Sequence, residues 1–194
     1  MADQGKWERL LERTDALLSG HFKLSSGLHS PRYVQCAKAL EDPRDAAELG
    51  RGLAQLFDDV AVDRVVSPPL GALLIGYEVA RALERPFAFP ERGDSGEFRF
   101  RRGFALRPDE RVLVIEDVIT TGRTTQELVQ ALDGCDAHVI GVGAIVYRQG
   151  APTQMSLAIR SLVQLSIPTY ESESCPLCAA GEAIEKPGSR GEGA

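Results

Sequence analysis

The sequence predicts an α/β fold, doubly wound around a central parallel sheet, and three observations carry that expectation. Residues 112–115 are four consecutive aliphatics (Val-Leu-Val-Ile) followed at once by Glu116 and Asp117, as in a strand buried on both faces. Residues 137–146 are a second run of this kind, whose small glycines allow close packing against a helix or a ligand. Residues 64–67 begin a third strand, and helical patterns follow the first and third of these runs, the alternation a parallel sheet requires.

Taken in order, Trp7, Leu10, Leu11, Leu17 and Leu18 form a helix-like stripe over residues 6–18, ending near Gly20. The Ser-Ser-Gly and Ser-Pro breaks around residues 21–30 exclude a long helix and predict short strands and turns. Alternation there puts Lys23 on the face opposite Phe22 and Leu24. Asp42-Pro43 opens a second helix, with proline near its first position, running through about Asp58. Residues 68–76 turn the strand at 64–67 into a helix reaching Leu83, and residues 86–89 read as a short second strand. Residues 91–107 set Arg92, Arg99, Arg101, Arg102 and Arg107 against Glu91, Asp94 and Glu97. In an acidic chain that is a locally basic loop which Gly93 and Gly96 make mobile; the plainer reading is a solvated β-hairpin with charged faces. A helix from Thr125 to Leu132 is expected after the acids, capped by Thr124 or Thr125 ahead of Glu127. Arg148 lies just past the carboxyl end of the 137–146 strand, the side on which ligands gather in parallel sheets. Residues 156–166 read as one or two edge strands, and residues 188–194 as a disordered tail.

The chemistry concentrates at residues 116–124. A turn permitted by Gly122 gathers backbone N–H groups and the hydroxyls of Thr120 and Thr121 at a helix N-terminus, an arrangement that binds phosphate. Glu116 and Asp117 beside it can hold ribose hydroxyls or a metal, so the pair points to a sugar phosphate. The bland alternative is a buried strand running into an ordinary capped helix; adjacent acids followed by Thr-Thr-Gly favour the functional reading.

Glu116-Asp117-Val-Ile-Thr-Thr-Gly122 resembles the phosphoribosyl-diphosphate (PRPP) motif of the type I phosphoribosyltransferases. Two further stretches resemble the orotate phosphoribosyltransferase family: Gly20-His-Phe-Lys-Leu-Ser-Ser-Gly-Leu-His-Ser-Pro31 its N-terminal signature, and Tyr147-Arg-Gln-Gly150 its segment after the last core strand. The match runs in order over roughly residues 7–190. The resemblance implies a doubly wound central parallel sheet with a small N-terminal hood over the base. It implies transfer of a phosphoribosyl group from PRPP to orotate, with Mg²⁺ held mainly by PRPP and no side chain assigned as a direct metal ligand. Under it, Glu116 and Asp117 hold the ribose hydroxyls, Asp117 also favouring a cationic sugar ring. Val118, Ile119, Thr120, Thr121, Gly122, Arg123 and Thr124 hold the 5-phosphate. Leu70 and Gly71 form the diphosphate turn, where many relatives carry lysine-glycine. Arg92 and Arg99 belong to a loop that closes over PRPP, commonly built with lysine and histidine; arginine's planar fork suits diphosphate oxygens. Lys23, Thr120 and Arg148 are the implied orotate contacts. A homodimer in which loop 91–107 serves the neighbouring site is implied as well. Other readings are the same transfer to a purine, which would need a different hood, and a non-catalytic regulator on this fold.

Length and composition fit one domain, residues 1–187, in which the resemblance implies a hood at about 1–40 and a core at about 41–187. The chain has 194 residues, 43% hydrophobic and 26% charged, within the globular range. Its net charge of −6 argues against a nucleic-acid binder, which needs a basic surface. No apolar run approaches the roughly 18 residues of a membrane span. The N-terminus shows no signal-peptide core, so a cytoplasmic enzyme is expected. Cys175-Pro-Leu-Cys178 is in the abstract a zinc half-site or a redox pair. Cys36 and Cys135 are isolated, so no second CxxC completes a four-ligand site in one chain. The pair is expected to be structural, with a disulfide or a two-chain site as alternatives.

Overall fold

A computed structural model describes residues 4–24, 26–149 and 157–187. Ser25 and Gly150 of the sequence motifs, Ser156 of the expected edge strand and the expected tail at 188–194 lie outside the described residues. The first helix, α1 (Gln4–Arg13), buries Trp7, Leu10 and Leu11. It stops short of Leu17 and Leu18, which open strand β1 (Leu17–Lys23) rather than extending the helical stripe. The chain leaves the helix through Thr14, whose hydroxyl donates to the Leu10 carbonyl at 2.9 Å, and through Asp15 at φ 54°. Leu17 and Leu18 fit a helical spacing over so short a window, which is why periodicity alone misplaced them.

β1 pairs antiparallel with β2 (His29–Val34), and a bulge interrupts the register between Ser19 and Phe22. After the short α2 (Cys36–Ala39) comes α3 (Pro43–Gln55), capped by Asp42, whose carboxylate accepts the Arg44 N–H at 2.8 Å. It ends three residues before the expected Asp58. The remaining elements are β3 (Arg64–Val66), α4 (Leu73–Leu83), β4 (Phe87–Ala88), β5 (Glu91–Arg92), β6 (Phe98–Arg99), β7 (Arg111–Ile119), α5 (Arg123–Asp133), β8 (His138–Gln149), β9 (Ile159–Ser166) and the four-residue α6 (Pro176–Ala179).

Among the described residues the main sheet has the order β4-β3-β7-β8-β9, with every neighbouring pair parallel. β7 lies in the middle, and Val112, Leu113, Val114 and Ile115 are completely buried. Their side chains alternate between two cores, as a strand covered on both faces demands. Leu113 and Ile115 join the helices α1, α3 and α4, while Val112 and Val114 join Leu128 and Leu132 of α5. Gly141 and Gly143 of β8 give Phe57 its place: a Cβ would come within 2.9 Å and 3.0 Å of that ring. The glycines therefore admit a core side chain, and the ligand alternative raised by the sequence does not apply to them. At the amino end, buried Glu110 accepts from Arg64 at 3.0 Å and from the Arg107 backbone N–H at 2.9 Å, tying β3 to the start of β7. Among the described residues no helix is long and apolar enough to cross a membrane.

Candidate active site at the carboxyl edge of the sheet

Strand order reverses between β3 and β7, and the loops leaving their carboxyl ends diverge to leave a crevice there. A cavity of about 260 Å³ fills it, lined by Pro68, Pro69, Gly71 and Ala72 from the first loop and by residues 116–125 from the second. β7 continues through both acids to Ile119 instead of ending before them. The long β8 supplies the reason, since Glu116, Val118 and Ile119 pair with its Ala144, Val146 and Tyr147. Glu116 and Asp117 are thus strand residues whose side chains leave opposite faces of the sheet.

Glu116 is buried and accepts the Thr125 hydroxyl at 2.9 Å. Burial first, and then the neighbouring Asp117 charge, push its carboxyl up to about 8. Asp117, half-buried, is also raised by burial, against the pull of backbone N–H groups at Val118 and at itself. In the free protein Glu116 is therefore largely a neutral acid at pH 7. It hydrogen-bonds without adding a second negative charge beside Asp117.

Gly71 is needed for a close approach. A Cβ there would sit 2.5 Å from the Asp117 carboxylate, so the turn after β3 can abut the acid only without a side chain. The expected threonine cap of α5 is not present. The cap is Gly122 at φ 75°, a left-handed turn that starts the helix two or three residues earlier. This frees Thr125 to turn inward to Glu116, while Thr120, Thr121, Arg123 and Thr124 remain exposed along the cavity.

The structure brings together part of the expected set. Glu116 through Thr124 and Gly71 share the cavity, whereas Leu70, Arg92, Arg99, Lys23 and Arg148 are absent from its lining. Leu70 points to solvent, 82% exposed. Residues 91–99 form the charged β-hairpin that was the plainer reading. Its arginines are engaged locally: Arg92 pairs with Glu127 of α5 at 2.8 Å and stacks 4.2 Å over Phe98, Arg99 pairs with Glu97 at 2.6 Å, and Arg102 pairs with Glu91. Lys23 is exposed at the end of β1 next to buried Phe22, so that alternation holds. Arg148 lies within β8, near its carboxyl end, rather than beyond it. It is half-buried and gives a long 3.4 Å hydrogen bond to the Ile167 carbonyl, and burial lowers its pKa.

Three neighbours escaped the sequence reading. Thr125 had a signal, lying immediately after the loop. Cys36 and Tyr33 had none, being some eighty positions away in the chain. The Cys36 thiol reaches the Asp117 carbonyl at 3.7 Å, and burial followed by the Asp117 charge holds both the thiol and the Tyr33 phenol above their usual ranges.

A phosphoribosyl transferase domain is matched over residues 37–162. The orotate phosphoribosyltransferase of Thermotoga maritima is 44% identical over 184 residues, covering 95% of this chain and 98% of that protein. That of Caldicellulosiruptor saccharolyticus is 44% identical over 182 residues, covering 94% and 95%. Among solved structures, the orotate phosphoribosyltransferase of Mycobacterium tuberculosis in complex with inorganic phosphate matches with a TM-score of 0.68 at 27% identity, covering 84% of this chain and 96% of that one. The strand, paired acids and glycine-started helix around one cavity agree with these matches over nearly the whole length, and the chain belongs to the phosphoribosyl transferase family and, within it, to the orotate phosphoribosyltransferases.

Proposed function

We propose that the chain transfers the 5-phosphoribosyl group of PRPP to orotate, giving orotidine 5′-monophosphate and diphosphate in the de novo synthesis of UMP. The observation that carries this reading is the cavity in which residues 116–125 close against the Gly71 turn. In this reading residues 118–124 hold the 5-phosphate at the start of α5, and Glu116 and Asp117 hold the ribose hydroxyls. The sugar–diphosphate bond breaks with its electron pair leaving on diphosphate while the base nitrogen bonds to the anomeric carbon. The ring becomes cationic on the way, and the Asp117 carboxylate favours that charge. The Leu70-Gly71 turn offers its main chain to the diphosphate, with Arg92 and Arg99 of the hairpin gripping it from outside. Lys23, Thr120 and Arg148 receive orotate. Arg148 fits that task because, among the described residues, this half-buried cation has a carbonyl and no anion for a partner.

Mg²⁺ suits this donor set. The cavity presents the carboxyl groups of Glu116 and Asp117, hard oxygen donors of the kind that accompany Mg²⁺ on substrate phosphates. Bound there, it would offset the charge on the leaving diphosphate, with Glu116 and Asp117 as the acids beside it. We read residues 1–187 as one domain, hood at about 1–40 and core at about 41–187, working in the cytoplasm.

A homodimer completes the reading. Leu70, Leu74 and Tyr77 are 82%, 59% and 58% exposed at a helical spacing beside the Gly71 turn, an apolar stripe that a second copy would cover at the rim of the cavity. The loop at 91–107 then serves the partner's site. An Arg92→Ala/Arg99→Ala double variant and an Asp117→Asn variant should each be nearly inactive. Refolded together, half the molecules pair as mixed dimers with one whole site, so about a quarter of wild-type activity returns. No recovery in verified mixed dimers would place the loop's action within its own chain. The reaction itself is tested by diphosphate release from PRPP with orotate, adenine, hypoxanthine or uracil. Orotate alone should support it; release with a purine, or with none of the four, would overturn the reading.

A further inference from the structure

His21, His29, Cys175 and Cys178 converge on one point, their ligating atoms all within 4.8 Å of one another, and none of the four lines the sheet-edge cavity. The sequence hid this set because the CxxC looked incomplete. Its missing half is a pair of histidines more than a hundred positions earlier. The bulge in β1 supplies one of them: normal alternation would send His21 and Phe22 to opposite faces, yet both are buried. His29 sits opposite Lys23 at the start of β2 and is buried as well. The chain then brings the cysteines to the hairpin. His29 and Tyr170 exchange both backbone hydrogen bonds at 2.9 Å, and Glu185 donates to the His21 carbonyl and accepts from the Lys23 N–H, each at 2.8 Å.

We propose that these four side chains bind one Zn²⁺ per chain, a Cys₂His₂ site that pins the C-terminal segment to the N-terminal hairpin. Zinc–sulfur and zinc–nitrogen bond lengths give a tetrahedron whose edges are about 3.3 to 3.8 Å. The separations fall near that range: 3.0 Å between His21 Nε2 and His29 Nδ1, 3.3 Å from Cys178 Sγ to His29 Nδ1, and 3.6 and 3.7 Å from Cys175 and Cys178 Sγ to His21 Nε2. A second observation is independent of the convergence. His21 Nδ1 lies 2.9 Å from the Glu182 carbonyl, so it carries the proton and donates, leaving Nε2 with its lone pair toward the cluster. Metal-bound histidines are held in this manner. Two thiolates, formed by release of two protons, neutralise the ion. The CxxC spacing at the start of α6 and the soft-plus-imidazole donor set favour zinc over magnesium or calcium. The anchored segment has little else to fix it, since α6 is four residues long and its β contacts are isolated bridges.

The test is metal content of the full chain, expressed without a histidine tag and purified without chelator, measured by elemental mass spectrometry. About one zinc per chain is expected. Cys178→Ser should lower it at least fivefold, and Cys135→Ser should leave it unchanged. Because Cys178→Ser can fail to fold, wild-type protein is also titrated with a mercurial thiol reagent in the presence of a zinc-sensitive dye, with one equivalent of zinc released. The Co²⁺-loaded protein should show the intense visible bands of tetrahedral, thiolate-bound cobalt. Zinc at background both as purified and after dialysis against zinc sulfate would overturn the proposal, as would a Cys175–Cys178 disulfide in the protein as purified.

Discussion

The cavity at the sheet edge and the N-terminal hairpin rest on different foundations. The acids at 116 and 117 extend from the central strand, flanked by β3 and β8 and backed by completely buried side chains on both faces. The β1–β2 hairpin has no such sheet around it; it is held by α1, the two bridges to Tyr170 and Glu185, and the histidine–cysteine cluster. A two-stranded hairpin is marginal alone. The difference teaches a division of labour. Under the proposed roles, the groups that face developing charge are fixed by the strongest part of the fold, because electrostatic stabilisation works through preorganisation. In the same reading the base side is a separate attachment, free to change without disturbing the sugar side.

Four perturbations sharpen that contrast, beginning with the largest. Asp117→Asn keeps shape and removes charge, so kcat should fall by about 100- to 1000-fold with the PRPP KM nearly unchanged. Normal turnover with a raised KM would reduce Asp117 to a ground-state ribose contact. Gly71→Ala should lower kcat/KM for PRPP by about 100-fold while leaving the thermal midpoint in place, because the new methyl displaces the Asp117 carboxylate from an exposed turn. Retention of full activity would show that the close approach is unimportant. Lys23→Ala acts on the other region. It should raise the orotate KM by about 30-fold, the loss of roughly 2 kcal/mol from one charge-assisted contact, and spare the PRPP KM. Equal changes in both constants would deny the hairpin its separate role.

The smallest effect concerns Glu116 in the free protein. Its carboxyl is raised, so the folded state holds a proton that the unfolded chain has lost between about pH 4.5 and 8. Stability falls as pH rises through that window, because only the folded state still binds the proton there. Glu116→Gln should flatten the slope when urea midpoints are compared at the two pH values. A slope unaltered by the substitution would mean the acid stays ionised.

What could be read in advance follows the same physical line. The central strand, both turns of the cavity and the helix after Gly122 are each encoded by adjacent residues, and they were legible as such. Leu17 and Leu18 were not, because a few apolar positions fit two periods and the deciding residue, Asp15, acts through its backbone. The acids looked like the end of a strand because ladder partners on β8 are invisible to a local pattern. The threonine cap was misread for a related reason: a glycine in the left-handed region can start the helix, and the freed hydroxyl found a partner nine residues back. His21 and His29 were in plain view inside a recognised signature, but their partners lie about 150 positions away.

The pairing of Arg92 with Glu127 carries one more consequence. Under the proposed role of Arg92, an arriving diphosphate takes this guanidinium from a carboxylate rather than from water. Closure of the hairpin is then an exchange of anions. The pair being surrendered is solvent-facing and worth about 0 to 1 kcal/mol, so the exchange is cheap and reversible. When diphosphate departs, Glu127 is at hand to take the arginine back, and the hairpin has a resting place that does not depend on substrate.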